Sequence, residues 1–179
     1  MVYIILGNGF EEAEAIVPCD LMRRAGIEVR FAGIGGCAVT GGHGITVQAD
    51  CVAEQTDFSD AEMIVLPGGL GGVASIRGCR PVLDAVSAQY AAGRFVAAIC
   101  AAPTILAQLG ITDGKKATCY PGCEKNMGTA NTCSRSAARD GNVITGKAAG
   151  TAFDFGLLLI ETLRDKQTAR RIAAEVVYR

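Results

Sequence analysis

The stretch Ala97-Ala98-Ile99-Cys100-Ala101-Ala102-Pro103 decides how this chain is read. Phe95 to Ile99 is a short apolar run of strand type, and Ala101 to Leu109 is a helix-type run that stops at Gly110. A single residue, Cys100, joins them. A strand that becomes a helix within one residue makes a tight elbow, which lifts a reactive atom above the sheet. Such a turn is crowded, and small residues stand two places before and after it, at Ala98 and Ala102. Pro103 suits the first helical turn, where a missing N–H costs nothing. The free N–H groups and the positive dipole end of that helix predict a thiol of lowered pKa at Cys100. The plainer alternative is a buried structural cysteine.

Working outward, the same alternation repeats. Val2 to Leu6 is a strand-type run that ends at Gly7-Asn8-Gly9. Glu11 to Gly26 reads as a helix, with Glu11, Glu12 and Glu14 in its first turn and Arg23 and Arg24 in its last, as the helix dipole favours. Pro18 interrupts the pattern and predicts a kink. Glu28 to Ile34 is a second strand, followed by a Gly-rich stretch with short β pieces of hairpin type. Met63 to Leu66 is a buried strand closed by Pro67-Gly68-Gly69. Pro81 to Ala92 is an amphipathic helix, Asn142 to Thr145 a late strand, and Ala152 to Leu163 and Gln167 to Val177 are closing helices. Continuous apolar strands separated by helices imply an α/β fold with a mostly parallel sheet covered on both faces. Residues 1–179 contain no repeat or linker and read as a single domain.

Half of the residues are hydrophobic, 23 are glycine and the net charge is -1. That mix argues against a disordered chain, and no basic stripe suggests a nucleic-acid partner. The apolar start from Met1 to Leu6 is too short for a signal peptide or a membrane span. A soluble, cytoplasmic protein is expected. The eight cysteines are then expected to be free thiols. Cys119, Cys123 and Cys133 have spacings that match no closed zinc site, so no metal is expected.

In a parallel sheet, ligands bind at the carboxyl ends of the strands. Three such ends stand out: Gly7 to Glu14, Pro67 to Gly69, and Cys100. Gly68 and Gly69 let the backbone approach a ligand and aim N–H groups at a developing oxyanion, or they form an ordinary strand-ending turn. Glu11 and Glu12 read as helix-dipole partners. Glu14 differs, because Ala13, Ala15 and Ile16 surround it with apolar bulk. A carboxyl buried there has a raised pKa and donates a hydrogen bond to a thiolate. The single histidine, His43, lies in the Gly-rich segment, and the residue after Cys100 is Ala101. An adjacent Cys–His pair is therefore absent. Gly7-Asn8-Gly9 lacks the third glycine of a dinucleotide-binding turn.

Five ordered segments resemble the ThiJ/PfpI superfamily, in the branch of the parkinsonism-associated redox protein and its bacterial relatives. They are Gly9-Phe10-Glu11-Glu12-Ala13-Glu14, Asp20-Leu21-Met22-Arg23-Arg24-Ala25-Gly26, Leu66-Pro67-Gly68-Gly69, the Cys100 elbow, and Gly150-Thr151-Ala152-Phe153. The resemblance implies a flavodoxin-like, doubly wound sheet of the class I glutamine amidotransferase type, and a homodimer. It implies Cys100 as the reactive cysteine and Glu14 as its protonated partner. Gly69 and Ala101 would supply oxyanion-binding N–H groups, with Gly68, His43 and Tyr120 as possible substrate contacts. The implied activity is a cofactor-free conversion of small α-oxoaldehydes such as methylglyoxal to hydroxy acids, of glyoxalase or deglycase type. The alternative is an oxidative-stress sensor or redox-regulated chaperone working through oxidation of the same cysteine. Peptidase relatives carry His after the nucleophile, where this chain has Ala101. Cys119-Tyr120-Pro121 stands where the branch often has Thr-His-Pro, which makes Tyr120 the candidate proton donor. His43 stands where the branch has an anion-binding Arg.

Overall fold

The computed structural model describes residues 1–179. In chain order the strands are β1 (Val2–Leu6), β2 (Val29–Gly33), β3 (Ala38–Thr40), β4 (Thr46–Gln48), β5 (Cys51–Val52), β6 (Met63–Leu66), β7 (Phe95–Ile99), β8 (Lys116–Ala117), β9 (Asn131–Thr132), β10 (Ala137–Asp140) and β11 (Val143–Gly146). The helices are α1 (Glu12–Arg24), α2 (Leu70–Gly78), α3 (Arg80–Ala91), α4 (Pro103–Gln108), α5 (Ala152–Leu163) and α6 (Lys166–Glu175).

Strand pleating explains the two-sided packing. Successive side chains of a strand point to opposite faces. On β1, Val2, Ile4 and Leu6 join one core with residues of α1, α5 and α6. Tyr3 and Ile5 join the other, with residues of α2, α3 and α4. β6 and β7 divide in the same way: Met63, Val65, Ala97 and Ile99 face the first core, and Ile64, Leu66, Val96 and Ala98 the second. A strand buried on both faces has no polar face to show, hence the continuous apolar runs.

The main sheet has seven strands in the order β10-β11-β7-β6-β1-β2-β5. All neighbours are parallel except β10 and β11. This is the flavodoxin-like arrangement the sequence predicts. The order reverses direction at β1, between β6 and β2, so the carboxyl ends of β1, β6 and β7 open side by side into one crevice. The predicted hairpin is the antiparallel β3–β4 pair.

Several elements differ from the sequence reading, among them the short parallel pair β8–β9, which it did not contain. α4 begins at Pro103, not Ala101, because residues 100–102 are spent on the elbow. It is only 6 residues long, so its dipole is weaker than expected. α2 was not predicted, since Gly71, Gly72 and Gly78 obscure its helical pattern. Its glycines serve packing: a Cβ on Gly72 would lie 2.7 Å from Phe10 Cα. β10 was also missed. It is the edge strand, and its sequence Ala-Ala-Arg-Asp carries no strand signal. No helix is long and apolar enough to cross a membrane.

Candidate active site

The elbow forms as predicted. Cys100 has φ 67°, a left-handed conformation that a non-glycine residue adopts at a cost of about 1–3 kcal/mol. Two backbone bonds hold it there. The Cys100 N–H donates to Gly146 O on β11 at 3.0 Å, and the Tyr120 N–H donates to Cys100 O at 2.7 Å. Behind the turn, Thr104 Oγ1 donates to Ala101 O at 2.6 Å, and Arg77 donates to Thr104 Oγ1. Ile99 and Ala102 are fully buried below, while Cys100 is half-buried.

Glu14 arrives from α1. It lies four residues before Pro18 and seven before Leu21, so all three share the inward face of the helix. That face is covered by α5 at Gly156, where a Cβ would come within 3.1 Å of Pro18 Cα. The Glu14 side chain is 0% exposed. Its Oε2 accepts the Gly68 N–H at 2.9 Å. Its Oε1 is buried with no hydrogen-bond partner. The Cys100 thiol and the Ala149 N–H lie beside the carboxyl and influence it.

The third wall is the turn after β6. The Gly68 position admits no side chain: a Cβ would strike Glu14 Oε2 and lie 2.7 Å from Cys100 Cβ. Gly69 has φ 85° and opens α2. The N–H groups of Gly69 and Ala101 both act on the Cys100 sulfur and favour its anion. We expect Gly68→Ala to fold with about 1–3 kcal/mol lost and with Glu14 displaced from Cys100. Thermal unfolding and the rate of thiol alkylation check the two effects separately.

The electrostatics differ from the expectation of a simply depressed thiol. Burial pushes Cys100 up, to about 12, the adjacent Glu14 carboxyl adds to the rise, and the Ala101 and Gly69 N–H groups pull it back. Burial likewise pushes Glu14 up, to about 7. Two groups this close titrate as one diprotic unit. Its first proton leaves near 7 and its second near 12, so between them the pair holds one proton and one negative charge. Glu14 is the group that ionises first and the Cys100 thiol the one that keeps its proton, while Oε1 is left without a partner and can receive that proton from sulfur. The helix-dipole argument omitted both the burial and the partner's charge.

His43 sits on Glu12, not on Cys100. Its Nδ1 is 2.9 Å from Glu12 Oε2 and 3.8 Å from Glu11 Oε2, and its ring is mostly exposed. Glu12 Oε1 accepts the backbone N–H of His43 at 2.8 Å. Burial would raise the Glu12 carboxyl, but the bonds from the His43 ring and the backbone N–H groups outweigh it and hold it at about 2. Glu12 is thus the anchor of the β3–β4 turn, which sequence reasoning treated as a dipole partner. Glu11, Glu12 and His43 offer three ligand atoms within 4.8 Å of one another, the closest grouping of metal-ligating side chains in the chain. Two of the three already satisfy each other. Tyr120 reaches Cys100 through its amide, and its side chain is half exposed. Ala149 is the contact the sequence did not reveal; its only signal is the adjoining Gly150-Thr151 segment.

A strained cysteine elbow at the switch point of a flavodoxin-like sheet, with a buried carboxyl and two amides around its sulfur, defines a class of α/β protein. The family model described as DJ-1/PfpI matches residues 1–162, and the chain belongs to that family. It is 38% identical over 175 residues to Protein dj-1beta of Drosophila melanogaster, covering 95% of this chain and 92% of that protein. The crystal structure of Drosophila melanogaster DJ-1beta superposes with a TM-score of 0.94 at 35% identity, covering 99% of this chain and 97% of that one. A protein of Pyrococcus abyssi named a deglycase is 29% identical over 154 residues, covering 85% of this chain and 92% of that protein.

Proposed function

We propose that the chain is a cysteine-dependent, cofactor-free enzyme that converts small α-oxoaldehydes such as methylglyoxal to 2-hydroxy acids. The observation that carries this reading is the buried Glu14 carboxyl with one free oxygen beside Cys100. Membership of the DJ-1/PfpI family and the similarity to a protein named a deglycase support it.

In this reading the singly protonated pair reacts after the Cys100 proton passes to Glu14 Oε1, as a thiolate beside a protonated carboxyl. Cys100 sulfur attacks the aldehyde carbon, a C–S bond forms, and the carbonyl electrons move to oxygen. The oxyanion is held by the Gly69 and Ala101 N–H groups and takes the Glu14 proton, giving a hemithioacetal. The Glu14 carboxylate then removes the C–H proton of that carbon to give an enediol, the hydroxyl proton of that carbon passes to the former ketone oxygen, and Glu14 delivers its proton to the former ketone carbon, leaving a thioester beside a hydroxyl. One carbon is oxidised and the other reduced, so no outside oxidant is needed. Water hydrolyses the thioester and frees the Cys100 thiol and the hydroxy acid. Purified protein given methylglyoxal should form lactate without added thiol or metal; no lactate under those conditions overturns the proposal.

The working form is proposed to be a twofold homodimer. Ile16 on α1 and Ile45 at the β3–β4 turn are exposed apolar side chains suited to a shared patch. Sedimentation at micromolar concentration should give twice the 18.5 kDa chain mass; a monomer at that concentration would count against it.

A further inference from the structure

The mouth of the Cys100 crevice carries acids with too little positive charge to balance them. Glu11 is bound directly to the active-site wall, its N–H donating to Gly68 O at 3.0 Å. Its side chain is 25% exposed, so it is partly solvated yet close to the reacting groups. It is near enough to Glu14 to disfavour that carboxylate. Glu12 follows it as a buried anion. The one cation-forming group on this rim is His43, 2.9 Å from Glu12 and 3.8 Å from Glu11. With His43 protonated the three groups sum to one negative charge, and with it neutral to two.

Arg77 and Arg24 are engaged elsewhere. Arg77 bonds Thr104 behind the elbow. Arg24 is paired with Asp20 at 2.8 Å and Glu175 at 3.1 Å. Lys147 lines a cavity of about 330 Å³ where it shares the wall with an acid, Glu124.

We propose that Glu11 is a specificity-determining residue that makes this site select neutral or cationic carbonyl compounds and reject anionic ones. Carbonyls carrying a carboxylate or a phosphate enter a crevice whose rim already holds net negative charge. Neutral oxoaldehydes pay no such penalty, and a substrate with an ammonium or guanidinium group gains from it. A unit charge close to the reacting atom, at an intermediate effective dielectric, changes a rate by roughly three- to tenfold. The inference rests on the reading of Cys100 as the reacting atom, but not on the reaction it catalyses.

The test uses two alkylating reagents that differ in charge, the neutral iodoacetamide and the anionic iodoacetate. Their rates at Cys100, located by mass spectrometry, are divided and compared with the same ratio for 2-mercaptoethanol. The protein's ratio should be roughly three- to tenfold larger. Glu11→Gln should remove most of that excess, and so should 0.5 M salt. Asp84→Asn on the distant face of α3 should leave it unchanged. A ratio equal to that of the free thiol overturns the proposal. An excess that survives Glu11→Gln removes Glu11 from it. In parallel, methylglyoxal should be preferred in kcat/KM over an anionic α-oxoaldehyde of the same chemistry, 4,5-dioxovalerate, and Glu11→Gln should narrow the preference. If no oxoaldehyde is turned over while the alkylation ratio behaves as described, the proposed reaction fails and the charge selection stands. If Cys100 reacts with neither reagent, both fall.

Discussion

Glu14→Gln is expected to lower methylglyoxal turnover by about 10²–10⁴-fold, the usual contribution of a general acid–base group. The amide keeps a donor and an acceptor in the same volume, so the Gly68 bond survives. What disappears is the proton that must move between the two substrate carbons. Glu14→Asp should also lose activity, since proton transfer needs heavy atoms about 2.6–3.2 Å apart and the acid is one methylene shorter. The same substitution has a signature in stability. The unfolded Glu14 carboxyl titrates at its ordinary value of 4.5, and the folded one at about 7. Between those values the native state binds more protons than the unfolded state, so stability falls as pH rises across that window. The contribution is present below 4.5 and gone above about 7. Denaturant unfolding measured from pH 4.5 to 7 should show this decline in the native protein and a flatter profile in Glu14→Gln. An unchanged profile together with unchanged turnover would reduce Glu14 to a helix-dipole partner.

Cys100→Ala is expected to abolish turnover, a loss larger than that of Glu14→Gln, because no other group can form the covalent intermediate. Cys100→Ser should be nearly as inactive, since a hydroxyl at this site stays protonated far above neutral pH. Both variants should fold. The strained φ of 67° is imposed by the Gly146 and Tyr120 backbone bonds, which do not involve the side chain. Brief, substoichiometric alkylation should label Cys100 ahead of the other seven thiols. Burial first, with nearby acidic groups after it, pushes up Cys19 and Cys119, each to about 11. Both are only 4% exposed and out of a reagent's reach, whereas Cys100 is half-buried at the crevice with two N–H groups favouring its anion. Preferential labelling of Cys119 or Cys123, or residual lactate formation by Cys100→Ala, would refute the assignment of the nucleophile.

Little in the layout of the strands required the tertiary structure. Val2–Leu6, Met63–Leu66 and Phe95–Ile99 are legible because a strand buried on both faces shows no polar residue. The elbow is legible because its constraint is local: one residue between strand and turn, with alanine two places to either side. Glu14 could be singled out for the same reason, an acid among apolar neighbours in the first turn of a helix. The sequence was silent where the cause is remote. α2 is a glycine-rich segment that is helical because its glycines let it pack against Phe10 and the Gly9 turn. β10 is a strand because β11 offers it an edge. The partnership of Glu12 with His43 spans 31 positions, and that of Glu14 with Gly68 spans 54. Above all, the protonation of the Cys100–Glu14 pair depends on burial and on a charge brought from another helix. A helix dipole alone predicts a low thiol pKa, whereas the folded site makes one coupled acid of two residues 86 positions apart in the chain. Local pattern determines which residues turn and which lie inside; solvation and charge at a site are set by what the fold places around it.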